Sequence, residues 1–355
     1  MKTIDPARER LIGEFESALE SGVRQPCFWS APVVVGVSGG ADSVGLLVGL
    51  ARLGAAQTAP GGLIVAHAQH DLRSAAAADR EFVAGLARRL GLPLVWRELP
   101  VRNLADGRGE GMEARVRRLR YDFLAESARE AGARHVVVAH TADDQAETIL
   151  HRALRGTGLA GLGGMPVARE LCDGVSLLRP LLGVRREAVR LYCDAVGESW
   201  CEDETNADTR YARNFLRHEI LPRMLAGPYP AADASIIRLG RQAARVAAVI
   251  AGAAGHLLDA HASRQSDGTI LVRVAGFASL DSHLVAEIFV TLWRREGWPR
   301  RDMTARHYAA LAALAADVGP ASGPGGGPVP SAMDMPGGVR VRAAGPGMLA
   351  VIPPI

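Results

Sequence analysis

Ser38, Gly39, Gly40, Ala41, Asp42 and Ser43 stand between a β-branched run, "VVVGV" (33–37), and an apolar helical pattern. Two glycines let backbone N–H groups approach an anion closely, Ser38 and Ser43 add hydroxyl donors, and a helix start adds the positive end of its dipole. This is phosphate-gripping chemistry, although S-G-G alone would equally make a plain turn. The chain has no G-x-x-x-x-G-K-S/T string, which excludes a Walker loop. Asp42 would repel a bare phosphate. A carboxylate there makes sense if it holds Mg²⁺ or meets a pyrophosphate that carries the metal.

A second group lies in "HTADDQAET" (140–148), where Thr141 can cap a helix whose first turns carry Asp143, Asp144 and Glu147. Capping and the helix dipole account for part of this charge, at about 0.3 to 1 kcal/mol per group. Beside an anion site, the same three acids also make a pocket for a cation. In "MEARVRRLRYDFLAESA" (112–128), Arg117 and Arg120 are spaced i, i+3 with Tyr121 adjacent, and Glu113 pairs with Arg117 at i, i+4. The stretch reads as a solvated basic face or as a contact for RNA phosphate and base. "CEDETNADTRYARNFLRHEILP" (201–222) crowds Asp203, Thr205, Asn206, Arg213, Asn214 and Arg217 into one polar segment, more hydrogen-bonding groups than a connecting loop needs. His67 and His70 flank the end of a second apolar run and suit core packing or a nucleotide contact equally.

Elements that could position these groups follow from the apolar patterning. "VVVGV", "LIVAHA" (63–68), "LPLVWREL" (92–99) and "HVVVAH" (135–140) read as buried strands. Helical patterns over 43–54, 74–90, 112–131 and 142–155 separate them, and "GVSLLRPLLGVRREAVRLYCDAVG" adds a short strand and a helix over 184–196. The alternation predicts an α/β fold with a doubly wound parallel sheet and right-handed crossovers. Prolines and a glycine in "LPRMLAGPYPAADAS" (221–235) mark a boundary. The expected organisation is a catalytic domain over 1–224, a smaller helical domain over 225–316, a Gly/Pro-rich linker over 317–331 and a short β-hairpin tail over 332–355.

The chain has 355 residues, 48% hydrophobic and 22% charged, enough for two cores. A net charge of +3 does not by itself argue for nucleic acid, but Lys2 is the only lysine, so the cations are arginines suited to phosphates and base edges. Genome composition would give the same bias. The four cysteines show no C-x-x-C pair and no metal spacing, which predicts neither a disulfide framework nor a cluster. No run approaches 18 consecutive apolar residues and the start lacks the apolar centre of a secretory signal, so the expectation is a cytoplasmic protein without a membrane partner.

The string S-G-G-x-D-S after a β-run and before a helix resembles the PP-loop of ATP pyrophosphatases, which adenylate a substrate oxygen and release pyrophosphate. Six strings resemble the tRNA(Ile)-lysidine synthetase family, in that family's order across residues 30 to 225. They are S-G-G-A-D-S, "AHAQHDLR" (66–73), "RVRRLRY", "HTADDQAETILHRALRGTGLAGLGGM", "LLRPLL" (177–182) and "DETNADTRYARNFLRHEILP". The resemblance implies a PP-loop fold and a reaction on the wobble cytidine of a CAU-anticodon isoleucine tRNA. ATP adenylates the C2 oxygen; the side-chain amine of free L-lysine then displaces AMP, and codon reading changes from AUG to AUA. It also implies Mg²⁺, a second domain that helps hold tRNA, and allows a homodimer.

Carried onto this chain, the ATP site comprises Ser38, Gly39, Gly40, Ala41, Asp42, Ser43 and His67, with Asp42 as the metal ligand. Lysine has an amine pKa near 10.4, so at pH 7 only about one part in two to three thousand is the neutral nucleophile. Asp143, Asp144 and Glu147 are the candidates to bind the ammonium and remove its proton. Arg117, Arg120 and Arg155 are placed for phosphate or the target nucleotide, together with Asp203, Asn206, Arg213, Asn214 and Arg217. Many relatives carry two histidines before the paired acids, whereas here His140 is followed by Thr141; Val116 stands where alanine is common. A tRNA thiolase of the 2-thiocytidine type would need cysteines for sulfur relay or a cluster. A small-molecule PP-loop ligase has no use for the arginine segments, and a non-enzymatic RNA-binding module leaves Asp42 and the paired acids without a task.

Overall fold

The molecule is known from a computed structural model that describes residues 6–25, 28–55, 62–70, 76–99, 112–202, 208–300, 302–318 and 332–354. Two compact units divide at Arg241 and Gln242, inside a helix and not at the Pro/Gly stretch near 225.

In the first unit the four β-branched runs form parallel strands: β1 (Val33–Gly36), β2 (Leu63–His70), β3 (Leu94–Leu99) and β4 (His135–Val138). A hairpin, β5 (Ala168–Cys172) and β6 (Val175–Leu178), completes a six-stranded sheet of order β3-β2-β1-β4-β6-β5. β6 runs parallel to β4, but the edge strand β5 is antiparallel to β6. One strand thus departs from the parallel sheet, because a tight turn joins it to its neighbour and leaves no room for a crossover.

The intervening helices are α1 (Pro6–Val23), α2 (Ala41–Ala55), α3 (Ala76–Arg89), α4 (Met112–Glu130), α5 (Ala142–Leu154), α6 (Leu159–Leu162) and α7 (Arg186–Val196). β1 is buried on both faces, as helices on both sides require. Val33 and Val35 pack with Leu46 and Leu47 of α2 and Val189 of α7, while Val34 packs with Phe123 and Leu124 of α4. α2 and α7 approach very closely: a Cβ placed on Gly45 would lie 2.6 Å from Val189 Cγ1. That contact sets the start of α7 against the start of α2.

After α7 come α8 (Ala212–Phe215), a π-helical turn (Leu216–Ile220) and α9 (Leu221–Ala226), then the long α10 (Ala232–His261). By length and hydropathy α10 would qualify as a membrane span. However, Arg238, Arg241 and Arg245 interrupt its N-terminal half, and Ala254 and Leu258 are buried in the second unit's core.

The second unit is richer in strands than the expected helical domain. β7 (Ala262–Arg264), β8 (Ile270–Arg273), β9 (Ala332–Asp334), β10 (Arg340–Ala343) and β11 (Met348–Ile352) form an antiparallel sheet of order β7-β8-β11-β10-β9. The tail is therefore not a separate hairpin, because β11 pairs with β8 as well as β10. α11 (Ser282–Arg295) and α12 (Ala305–Val318) contribute Phe289, Trp293 and Leu311 to the core against this sheet. Residues 317 and 318 of the expected linker belong to α12, and the remainder lies outside the described residues.

Candidate active site at the carboxyl ends of β1 and β4

β1 and β4 are neighbours in register, with Gly36 opposite Val138. From β1 the chain proceeds to β2 and β3 on one side, and β4 returns on the other. This makes the β1/β4 boundary the switch point where open α/β sheets place ligands. The Ser38–Ser43 loop leaves one strand here, and the Thr141 turn leaves the other.

The loop is braced internally. Ser43 Oγ accepts from the Ser38 and Gly39 amides at 3.1 and 3.2 Å and donates to the Gly40 carbonyl at 2.9 Å. Ser43 thus shapes the loop in this state, and Ser38 Oγ lies 3.2 Å from it. Cys201 fastens the outside, its N–H donating to the Gly39 carbonyl at 2.9 Å. His67 is buried, with Nδ1 2.9 Å from the Val37 carbonyl and Nε2 without a partner among the described residues. Burial lowers its pKa.

Thr141 caps α5 as expected. Its N–H donates to Asp144 Oδ2 at 2.9 Å while Asp144 N–H returns to Thr141 Oγ1, a reciprocal capping box. Asp144 and Glu147 are buried, at 8% and 1% exposure. They satisfy their charge with arginines distant in sequence. Arg217 Nε donates to Glu147 Oε1 at 2.6 Å, and its Nη2 reaches Glu147 Oε2 at 2.8 Å and Asp144 Oδ1 at 3.1 Å. Arg213 Nε meets Glu147 Oε2 at 3.2 Å. Thus Arg213 and Arg217, expected as substrate or tRNA contacts, are bound to the acids in this structure. Asn214 donates to the Asp208 carbonyl at 3.1 Å.

Arg186, the first residue of α7, touches every one of the four acids. Its backbone N–H donates to Asp143 Oδ2 at 2.8 Å and its Nε to Asp42 Oδ2 at 3.0 Å. Nη2 donates to Asp144 Oδ1 at 3.1 Å, and Nη1 lies 3.9 Å from Glu147 Oε1. Arg185 pairs with Asp143 at 3.0 Å and with Asp233. Burial pushes Asp42 up to about 6, with Arg186 opposing and Asp144 reinforcing the rise. Burial would also raise Asp144, but Arg186 and Arg213 outweigh it and bring it down.

Asp42 Oδ1 is buried and, among the described residues, has no hydrogen-bond partner. An orphaned carboxylate oxygen beside a phosphate loop fits a divalent cation, which commonly takes one or two carboxylates plus substrate phosphates. Among the described residues no group of three His, Cys, Asp or Glu forms a closed metal site.

Beyond the acids lies a cationic wall. Arg179, 2% exposed, donates from Nε to His140 Nδ1 at 3.3 Å and from Nη1 to the Pro166 carbonyl at 2.8 Å. His140 is thereby an acceptor at Nδ1, and burial drives its pKa down to about 3. Arg117 donates to Tyr121 Oη at 3.4 Å, and Arg120 lies against the same ring. Burial would raise the Tyr121 phenol, yet Arg117, Arg179 and Arg120 together lower it. Arg120 and Arg152 are lowered by burial and by neighbouring guanidiniums. Cations that repel one another in a half-buried wall suit an anion.

The segment after α5 forms one side of this wall. Gln145 donates to the Met165 carbonyl at 3.0 Å and accepts from the Met165 N–H at 2.8 Å. Arg152 donates to the Gly161 and Gly164 carbonyls at 3.0 and 2.6 Å. Arg155, at the C-cap, is exposed. Asp203 and Asn206 lie outside the described residues. Sequence reasoning missed Arg186, Arg179 and Arg152. Arg185 and Arg186 left a usable signal: two cations at the start of a helix oppose its dipole and call for carboxylate partners.

Residues 14–224 match a family model described as a PP-loop domain, which defines the class of this first unit. A tRNA(Ile)-lysidine synthase from Rhodopirellula baltica is 36% identical over 317 residues, 80% of this chain and 79% of that protein. The chain belongs to the tRNA(Ile)-lysidine synthase family of ATP-using PP-loop ligases. A Thermus thermophilus protein of the same name is 42% identical over 220 residues, 62% of this chain but 40% of that longer relative. The solved U34-tRNA thiolase NcsA from Methanococcus maripaludis superposes with a TM-score of 0.55 at 16% identity, covering 67% of this chain and 80% of that one. At that identity the likeness is one of fold.

Proposed function

We propose that the protein joins free L-lysine to C2 of the wobble cytidine in a CAU-anticodon tRNA(Ile), through a C2-O-adenylated intermediate, in the cytoplasm. The observation that carries this reading is Arg186, whose guanidinium lies between Asp42 at the phosphate loop and the Asp144–Glu147 pair. Two centres that close suit two successive half-reactions on one C2–O2 group, the first at its oxygen and the second at its carbon.

In the first, the loop and the start of α2 hold the triphosphate, and the cytidine oxygen attacks the α-phosphorus as pyrophosphate leaves. Asp42 would hold Mg²⁺ through Oδ1, and the metal supplies charge neutralisation at the phosphates. Arg117, Arg120, Arg152 and Arg179 hold the target nucleotide's phosphate. In the second, the amine of lysine enters between Asp144 and Glu147, which orient it and take its proton as it attacks C2 and AMP departs. Thiolation is disfavoured because the four cysteines are scattered without the paired spacing that sulfur relay or a cluster would use.

The test is incubation with unmodified tRNA(Ile), ATP, Mg²⁺ and labelled lysine. Label at the wobble base with AMP and pyrophosphate released supports the reading; ATP turnover without lysine transfer refutes it.

A further inference from the structure

Two buried carboxylates, Asp144 and Glu147, share three guanidiniums. Arg217 grips Glu147 through two nitrogens, at 2.6 and 2.8 Å, and Arg213 meets it at 3.2 Å. Arg186 is held differently. It contacts Asp144 at 3.1 Å but stands 3.9 Å from Glu147, and its Nε rests on a third carboxylate, Asp42, at 3.0 Å. A further cation entering the pair would leave positive charge in excess in a poorly solvated setting, so one guanidinium has to yield. Arg213 or Arg217 would lose its closest carboxylate by leaving, whereas Arg186 would keep Asp42. The Arg186 backbone is fixed by its N–H to Asp143, so the side chain can turn about its own torsions while α7 stays in place.

We infer that the Arg186 guanidinium occupies the seat of the substrate amine at the Asp144–Glu147 pair and withdraws to Asp42 when the amine enters. This rests on the proposed reading that an alkyl-ammonium side chain is the second substrate. A resident cation faces both carboxylates before that substrate arrives. It also makes entry a competition: a side chain without a terminal cation cannot replace the charge it would displace, so neutral amino acids are rejected by the incumbent. Arg186 is on this account a specificity-determining and positioning residue, not a group that touches the reacting atoms.

Single-turnover consumption of preformed adenylated tRNA, followed over a range of lysine concentrations, reads lysine affinity apart from the first half-reaction. Arg186→Gln is expected to lower the half-saturating lysine concentration roughly three- to tenfold, because the competitor is gone. A merely structural residue would raise it on replacement. An unchanged or raised value overturns the inference. Should R186Q fail to fold, R186K keeps the charge on a compact head that cannot bridge Asp42 and Asp144 together. It is expected to lower the value by about two- to threefold, and a value at or above wild type is equally fatal. If wild-type protein forms the adenylate but lysine never consumes it, the proposed function itself fails, whatever the Arg186 variants do.

Discussion

Arg186 Nε donates to Asp42 Oδ2 at 3.0 Å, joining two residues 144 positions apart. The contact brings the start of α7 onto the start of α2 and leaves Asp42 with one engaged oxygen and one that has no partner among the described residues.

Asp42→Ala is expected to reduce adenylate formation by at least about 100-fold, the scale for losing a group that manages transition-state charge. Pyrophosphate release measured with tRNA and ATP but without lysine checks it. Full activity in this variant would remove Asp42 from the metal-holding role.

Glu147→Gln should spare the first step more than the second. The carboxylate is 1% exposed and gripped by Arg213 and Arg217, so neutralising it is expected to cost about 2 to 4 kcal/mol of stability as well. Rapid-quench separation of adenylated tRNA from lysidine product should show the adenylate accumulating. Equal loss of both steps would refute this division of labour.

The first half-reaction should have an acid limb. Burial lifts Asp42 to about 6, and the ionised form is the one that serves, so kcat/KM for ATP should rise with pH through that region. Arg186 is the partner that pulls this value down. Its replacement by Gln should therefore move the limb to higher pH, and a shift to lower pH would show that the sign is wrong.

Gly164→Ala should lower the melting temperature. Gly164 has φ +73°, and a Cβ there would lie 2.6 Å from Gln145 Nε2. The conformational strain and the displaced Gln145 clamp together are expected to cost about 2 to 3 kcal/mol, read by chemical denaturation. A neutral result would mean that the segment from 156 to 165 is not held by Gln145.

The phosphate loop and the acid-rich helix start were readable because each is a contiguous strand–turn–helix segment whose residue order reflects its geometry. Thr141 and Asp144 form a cap that spacing alone implies. The destination of Arg213 and Arg217 was not readable: the polar segment announced itself, but its carboxylate partners lie about 70 positions away. Arg186 was hidden for the same reason, apart from the mismatch between its charge and the helix dipole. In the second unit the apolar helices showed through, whereas β7 and β8 are three and four residues long, too short to display a period. Their sheet depends on pairing with β11 far downstream.

The bond from Cys201 N–H to the Gly39 carbonyl places an indole one residue from the grip on the phosphate loop, since Trp200 precedes Cys201. Trp200 is half-buried and packs on the edge of the core that contains α2. It is one of five tryptophans in the chain. The protein therefore carries its own optical gauge of loop occupancy: nucleotide binding should change the emission of wild type, and Trp200→Phe should abolish that change while leaving nucleotide affinity intact.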